Sequence, residues 1–306
     1  MISFIMPAKN VAAYVDQAVE ALLSAEYADW RLVAVDDHST DGTLEVLRGW
    51  EQRDGRIRVH QNKGAGKIAG LNYGYSLARG DIIKCIDADD VLAGSFFGHL
   101  GDLADCEVSC HGCYVTDTTL KVVSRYCPNK TFFNQTFKHC LRNLISLPRW
   151  AWTFTREIGD RIFPMPHDLP FEDVWFSLII KRCAGPNIRR IDKPLYYYRQ
   201  HSGQTYGGIL NFSRQTLAFR AERMLNFIDV IEHEPSERLV CGQPKEDIFD
   251  DIRTFYRLLA QNKPSLSHIM FARIAARLKL KLLIYKKLAF LAPAAVRCKW
   301  FLDRVR

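Results

Sequence analysis

Short apolar runs alternate with helix-period stretches over the first 90 residues, the pattern of βαβ units that build a largely parallel sheet. Ile2–Met6, Arg31–Val35, Ile57–His60 and Asp81–Ile86 predict four strands. Apolar positions at three- and four-residue spacing between them predict helices over 15–25, 44–50 and 69–78. Further strands are expected within Asp105–Val123, then mixed helix and loop up to Pro170, a helix over Phe171–Cys183 and extended chain over Lys193–Tyr198. After Gly208 the pattern turns helical to the end, with a linker at Glu232–Pro244. The expected organisation is an α/β domain over residues 1–208, a mixed and mostly parallel sheet flanked by helices, followed by a helical extension over residues 209–306.

Polar residues collect where the strands end: Asn10 after the first, Asp36-Asp37 after the second and Asp87-Ala88-Asp89-Asp90 after the fourth. Open α/β sheets bind ligands beyond the carboxyl ends of their strands. Ser39-Thr40-Asp41-Gly42-Thr43 supplies cap residues for the second helix, and helix capping is also the plain reading of Asp37 and Asp41. The closely spaced carboxylates of 87–90 could hold a divalent cation by oxygen ligands, or cap a helix.

Composition narrows the class. The chain has 306 residues, 48% hydrophobic and 25% charged, which excludes disorder, collagen and a disulfide scaffold and leaves an enzyme-sized globular protein. The net charge of +8 is unevenly placed: Lys263–Arg306 holds eleven Lys and Arg against Asp303 alone, leaving residues 1–262 slightly acidic. Met1 is followed by Ile2-Ser3-Phe4-Ile5-Met6 without a basic n-region, and no run of about 18 uncharged apolar residues occurs, so a cytoplasmic location is expected. Nine cysteines then read as reduced thiols. Cys106, Cys110 and Cys113 around His111 invite a zinc reading, but a second C-x-x-C pair is missing and cysteines in an apolar strand are ordinary core residues.

The chain resembles the family-2 inverting glycosyltransferases of GT-A fold. The resemblance is carried, in family order, by Ile5-Met6-Pro7-Ala8-Lys9-Asn10, Val35-Asp36-Asp37-His38-Ser39-Thr40-Asp41-Gly42-Thr43, Gly66-Lys67-Ile68-Ala69-Gly70-Leu71-Asn72-Tyr73-Gly74, Ala78-Arg79-Gly80-Asp81, Asp87-Ala88-Asp89-Asp90, Phe171-Glu172-Asp173-Val174 and Tyr198-Arg199-Gln200-His201. It covers about residues 2 to 205.

The resemblance implies a nucleotide-sugar donor, a UDP-sugar by preference, and Mn²⁺ or Mg²⁺. Pro7, Asn10 and Asp36 would cradle the nucleobase, where a carboxylate accepts the imide N–H of uracil. Lys67 and Asn72 would contact the nucleotide, Asp87 and Ala88 the ribose or sugar, and Asp89 the metal. His201 would complete the metal shell, or is a surface histidine. Asp173 would be the base that takes the acceptor's proton, with Glu172 orienting it or touching the acceptor; without the other motifs both would read as first-turn acids facing a helix dipole.

Trp150 and Trp152 could form an apolar platform under a pyranose, or pack in the core. The stretch Thr153-Phe154-Thr155-Arg156 departs from the commoner family pattern after the tryptophan.

Residues 268–290 set Arg273, Arg277, Lys279, Lys281, Lys286 and Lys287 among apolar residues, as an amphipathic basic helix does. The segment 268–306 suits an anionic membrane surface; the other reading is packing on the catalytic domain or on a second subunit of a homo-oligomer. Nucleic acid is not expected as a partner, since no helix-turn-helix, zinc-finger or RNA motif accompanies the charge.

The expected function is metal-assisted sugar transfer to a saccharide or lipid-linked saccharide acceptor in surface glycan assembly. The alternatives are a non-catalytic nucleotide-sugar-binding scaffold of the same fold and a nucleotidyltransferase, against which Pro7-Ala8-Lys9-Asn10 lacks a Gly-rich phosphate loop.

Overall fold

The structure is a computed structural model and describes residues 1–103, 106–128, 130–201, 213–233, 237–240, 248–261 and 265–287. The chain divides into two compact units: Met1–Phe137 with Ile145–His167 and Glu172–Gln200, and Lys138–Leu144 with Asp168–Phe171 and His201–Arg306. The boundary expected at 208/209 lies outside the described residues.

The chain runs β1 (Ile2–Ala8), α1 (Val15–Leu23), β2 (Trp30–Asp36), α2 (Thr43–Arg53), β3 (Ile57–Gln61), α3 (Gly66–Leu77), β4 (Ile82–Cys85), β5 (Val91–Leu92), a 3₁₀ segment over Gly94–Leu103, β6 (Val108–Thr116) and β7 (Val122–Tyr126). It continues through α4 (Lys130–Asn134), α5 (Phe137–Asn143), a 3₁₀ turn at Arg149–Ala151, β8 (Trp152–Thr155), α6 (Arg156–Ile162), α7 (Asp173–Cys183) and β9 (Ile188–Arg199). The helices α8 (Arg214–His233), α9 (Glu237–Val240), α10 (Asp250–Ala260), α11 (Leu266–Phe271) and α12 (Ala276–Lys287) follow.

One sheet organises the first unit, in the order β3-β2-β1-β4-β8-β6-β9-β5, with β7 on β6. The first four strands in that order are parallel, as the alternating pattern predicts. Every residue of β1 is buried, the signature of a strand covered on both faces. Strand order reverses at β1, which has β2 on one side and β4 on the other. A ligand crevice is expected beyond the carboxyl ends at such a reversal. The remaining strands make the sheet mixed: β8 is antiparallel to β4 and to β6, while β9 runs parallel to β6.

Sequence pattern placed mixed helix and loop where β8 lies. Four residues, three of them buried, carry neither alternation nor a helical period, so only their pairing identifies them as a strand. α1 buries Val15, Ala18, Val19 and Leu22, the stripe that predicted it. α2 opens from Gly42, whose φ of 91° suits glycine, and Asp41 accepts hydrogen bonds from the Thr43 amide and hydroxyl at 3.0 and 2.6 Å. α3 begins three residues before its expected start. It lies so close to β1 that a Cβ at Gly74 would sit 2.6 Å from Ile5 Cγ2.

In the second unit, α8, α10 and α12 share a core that includes Phe227, Ile228, Ile252, Phe255 and Leu282. The single amphipathic helix expected over 268–290 is two helices, interrupted between Phe271 and Ala276. The apolar face of α12 is internal, with Leu278 and Leu282 buried and the helix packed on α10. Leu266, Met270 and Phe271 of α11 remain outside, Phe271 at 85% exposure. The tail from 288 onward and most of the linker expected at Glu232–Pro244 lie outside the described residues.

Gly74→Ala is expected to lower the unfolding free energy by about 1–3 kcal/mol through overpacking against Ile5, read as a lower midpoint in urea with an unchanged slope. An unshifted midpoint would show that α3 can move off β1 without cost.

Candidate active site

The loops that follow β1, β2 and β3 are knitted together by short polar side chains. Asn10 adopts φ 52°, its side-chain Oδ1 accepts the Thr40 amide at 2.9 Å, and its backbone N–H donates to Ser39 Oγ at 3.0 Å. Asp36, at the end of β2 beside Ala8, is wholly buried. One of its oxygens accepts the Ser39 amide at 3.1 Å, while Oδ1 has no hydrogen-bond partner among the described residues. A buried acceptor left open is costly and calls for a ligand or another explanation. Pro7, paired with Val35 in the β1–β2 ladder, lies beside it.

Asp37 caps a helix, α3. It accepts the Gly66 amide at 2.9 Å, Asn62 Nδ2 at 2.8 Å and Lys9 Nζ at 3.0 Å. Burial pushes its carboxyl upward, yet Asn62, Lys9 and the Gly66 amide outweigh this and hold it below the usual range.

The structure gives Asn72 a different part from the predicted nucleotide contact. Its amide donates to the Met165 carbonyl at 2.8 Å and its oxygen accepts the Met165 amide at 2.7 Å. Both polar ends of the side chain are thus committed to a loop 93 residues away.

Four charges interlock beyond β4. Arg149, 1% exposed, donates from Nε to Glu172 Oε1 at 3.0 Å and from Nη2 to Asp87 Oδ1. Lys67 Nζ lies 2.9 Å from the same Asp87 oxygen and 3.2 Å from Glu172 Oε1. Burial pushes Asp87 upward, but the charges of Arg149 and Lys67 prevail and bring it down to about 2. Glu172 is likewise lowered, by Lys67 and Arg149 against the effect of burial. Lys67 is 46% exposed, so solvent screens its share of this attraction.

Asp173, the next residue, behaves in the opposite way. Burial first and the Glu172 carboxylate second push it up to about 7. Its Oδ1 accepts the backbone amide of Arg149 at 2.8 Å. The network brings the candidate residues Lys67, Asp87, Glu172 and Asp173 together around Arg149, a residue that sequence reasoning missed. A signal was available, since Arg149 is a lone charge inside the apolar run from Leu144 to Trp152.

Asp89 and Ala88 form the turn between Asp87 and Asp90. Asp90 accepts the Arg199 amide at 2.7 Å, and burial with the nearby Asp89 and Asp87 carboxylates raises it well above the usual range. His201 follows β9 and is half-buried. No group of three or more His, Cys, Asp and Glu side chains gathers as a metal cage among the described residues. That includes Cys106, Cys110, His111 and Cys113.

Trp152 is not a sugar platform in this structure. It is wholly buried, with its ring 5.7 Å from Phe132, because it belongs to a strand in the middle of the sheet. Trp150 is 6% exposed and stacks on Tyr196 at 5.2 Å and on Tyr198 at 5.9 Å. Beneath them Lys84 is fully buried, with Nζ 2.6 Å from His111 Nε2 and 3.2 Å from the Trp152 carbonyl, and it also bonds the Trp150 carbonyl. Burial pushes Lys84 down to about 7.

Residues 3–140 match the family model "Glycosyl transferase family 2". The chain is 26% identical over 212 residues to "Uncharacterized glycosyltransferase EpsJ" of Bacillus subtilis (strain 168), covering 66% of this chain and 61% of that one. It is 27% identical over 189 residues to the "UDP-Glc:alpha-D-GlcNAc-diphosphoundecaprenol beta-1,3-glucosyltransferase WfgD" of Escherichia coli, covering 58% of this chain and 70% of the relative.

Among solved structures, S. aureus TarS 1–349 in complex with UDP-GlcNAc superposes with a TM-score of 0.56 at 14% identity, covering 93% and 86% of the two chains. Mannosyltransferase PcManGT from Pyrobaculum calidifontis, in complex with GDP-Man and Mn²⁺, gives 0.57 at 16%, covering 99% and 84%. At such identities the likeness is one of fold, and the fold is GT-A.

Asn72→Ala is expected to lower stability by about 1–3 kcal/mol, because Met165 loses both partners, while leaving nucleotide binding intact. Unchanged stability with lost nucleotide binding would restore Asn72 to the donor site.

Proposed function

We propose, from the match of residues 3–140 to the glycosyl transferase family 2 model, that the protein moves a sugar from a nucleoside-diphosphate donor to a saccharide or lipid-linked saccharide acceptor with inversion. The observation that carries this reading is the contrast between two neighbouring acids. Glu172 is ion-paired to Arg149 and Lys67, while Asp173 is poised near neutrality in the same network. A general base works best when its pKa lies near the operating pH.

Asp36 suits the nucleobase, because its buried Oδ1 has no partner among the described residues and can accept an imide N–H. A UDP-sugar is therefore the donor class, with Pro7 and Asn10 shaping the loop around the base. Lys67, half exposed above Asp87, is free to turn its ammonium toward the diphosphate. Asp87 and Ala88 would face the ribose or sugar.

A divalent cation fits Asp89 as a single hard oxygen anchor, since Mg²⁺-type sites often combine one or two carboxylates with substrate phosphates rather than a full protein cage. When bound, such an ion would offset the charge growing on the departing nucleoside diphosphate. His201 joins as a ligand by family resemblance alone. The protein's own steps are to hold the donor and to let Asp173 take the acceptor hydroxyl's proton as the new glycosidic bond forms and the bond to the diphosphate breaks.

The second unit suits an anionic membrane surface where lipid-linked acceptors reside. No helix among the described residues is long and apolar enough to cross a membrane. α11 nevertheless presents Leu266, Met270 and Phe271 outward, with Arg273 and Arg277 exposed nearby. Apolar side chains that enter the interface, with cations beside acidic lipids, give reversible attachment.

Asp173→Asn is expected to keep the Mn²⁺-dependent thermal shift given by a UDP-sugar and to lose about 10²- to 10⁴-fold in turnover. Because Asp173 must be ionised to act, wild-type turnover should fall as pH drops through about 7, and that limb should vanish in the variant. Undiminished turnover would remove Asp173 as the base, and no shift with any nucleotide sugar would remove the donor site. In flotation with phosphatidylglycerol vesicles, M270D/F271D should no longer float, and added salt should weaken wild-type binding. Flotation equal to wild type would place the membrane contact elsewhere.

A further inference from the structure

We infer that Arg149 is the positioning residue that makes Asp173, and not the adjacent Glu172, the acid free to take a proton: its side chain occupies Glu172 and Asp87, while its own peptide N–H holds one oxygen of Asp173. The proton's origin, an acceptor hydroxyl, rests on the glycosyltransferase reading above; the division of labour between the two acids does not.

Nothing local distinguishes Glu172 from Asp173. Both are carboxylates at the first turn of α7, in the same field from the helix N-terminus. The difference comes from a residue on another element. Arg149 stands in the 3₁₀ turn before β8, and its guanidinium engages Glu172 through Nε and Asp87 through Nη2. Only its backbone amide reaches Asp173. One carboxylate is thereby kept ionised and occupied. The other is fixed at Oδ1, and no partner for its second oxygen is found among the described residues.

The fork is held rigidly. Lys84 ties down the carbonyls of Trp150 and Trp152, and Trp150 is stacked on Tyr196, so the turn bearing Arg149 is clamped from the sheet. Arg149 Nη1 is buried without a hydrogen-bond partner among the described residues. A guanidinium placed only for stability would be expected to use all its donors, and buried ion pairs contribute little net stability in any case. Lys67, the second cation on Glu172 and Asp87, is half exposed and lies where it can follow a donor's phosphates. Should it leave, Arg149 alone would keep both carboxylates charged.

The charged and titratable groups facing Asp173 are Glu172, Arg149, Lys67 and Tyr126. Of these, Glu172 raises Asp173, and the charges of Lys67 and then Arg149 lower it; because Lys67 also holds Glu172 ionised, loss of the Arg149 charge moves Asp173 upward. The test is carboxyl ¹³C NMR on the full chain with labelled Asp, using wild type, R149Q and R149K, with D173N to assign the resonance.

In wild type the Asp173 signal should titrate near pH 7. In R149Q its midpoint should move up to roughly pH 8, as expected when an opposite charge is lost. R149K, which keeps the charge but not the fork, should fall between them. Turnover of R149Q at neutral pH should drop about tenfold and recover above that new midpoint, with the donor KM changed less than about threefold. Should R149Q not fold, R149K is read against wild type for the smaller upward movement.

An unmoved Asp173 midpoint in a folded variant overturns the inference, as does turnover lost equally at every pH. Should wild type turn over no nucleotide sugar, the midpoint shift still upholds Arg149's control of Asp173 and only the transfer reading fails.

Discussion

A single buried guanidinium joins parts of the chain that the sequence keeps far apart. Arg149 reaches back 62 residues to Asp87 at the end of β4 and forward 23 residues to Glu172 at the start of α7. Removing one partner from a buried pair of this kind leaves an uncompensated charge and typically costs about 3–5 kcal/mol. The strand-end loop, the 3₁₀ turn and the helix terminus are therefore fixed relative to one another, and the candidate chemistry lies at their junction. Lys67 adds a fourth charge from the first turn of α3, on the solvent side. The quartet is balanced, two cations against two carboxylates, which leaves Asp173 as the acid beside them that can hold and release a proton near neutral pH.

The sheet makes this junction possible. β1, β2 and β4 are parallel and in register, so their carboxyl ends deliver Asn10, Asp36 and Asp87 to one edge. Glycine at position 74 lets α3 lie directly on β1. Asp37 fixes the start of α3 by accepting the Gly66 amide, and with it the position of Lys67. Short polar side chains at the turn of each loop satisfy backbone groups that would otherwise need water, which is how an irregular rim can hold a defined shape.

The second unit shows a different balance. Apolar residues that read as a membrane-facing stripe in α12 are largely the unit's own core, with Leu278 and Leu282 turned toward α10. A basic amphipathic pattern does not say which surface the apolar face meets, because a bilayer and a neighbouring helix offer the same burial. The exposed apolar side chains of α11, with Leu280 of α12, are the part of that pattern left uncovered by the described residues.

Residue order alone made legible the αβ alternation of the first 90 residues, the strand-end polar clusters and the candidate acids Asp87, Glu172 and Asp173. These are local facts: a hydrophobic period, a turn residue and a motif spacing are written within a dozen residues. Tertiary structure alone decided that Trp152 is core, that β8 is a strand and that Asn72 clamps Met165. It also decided that Arg149 separates Glu172 from Asp173. Each of these depends on partners tens of residues away, and burial and charge pairing act through space, where the order of residues along the chain carries no record of distance.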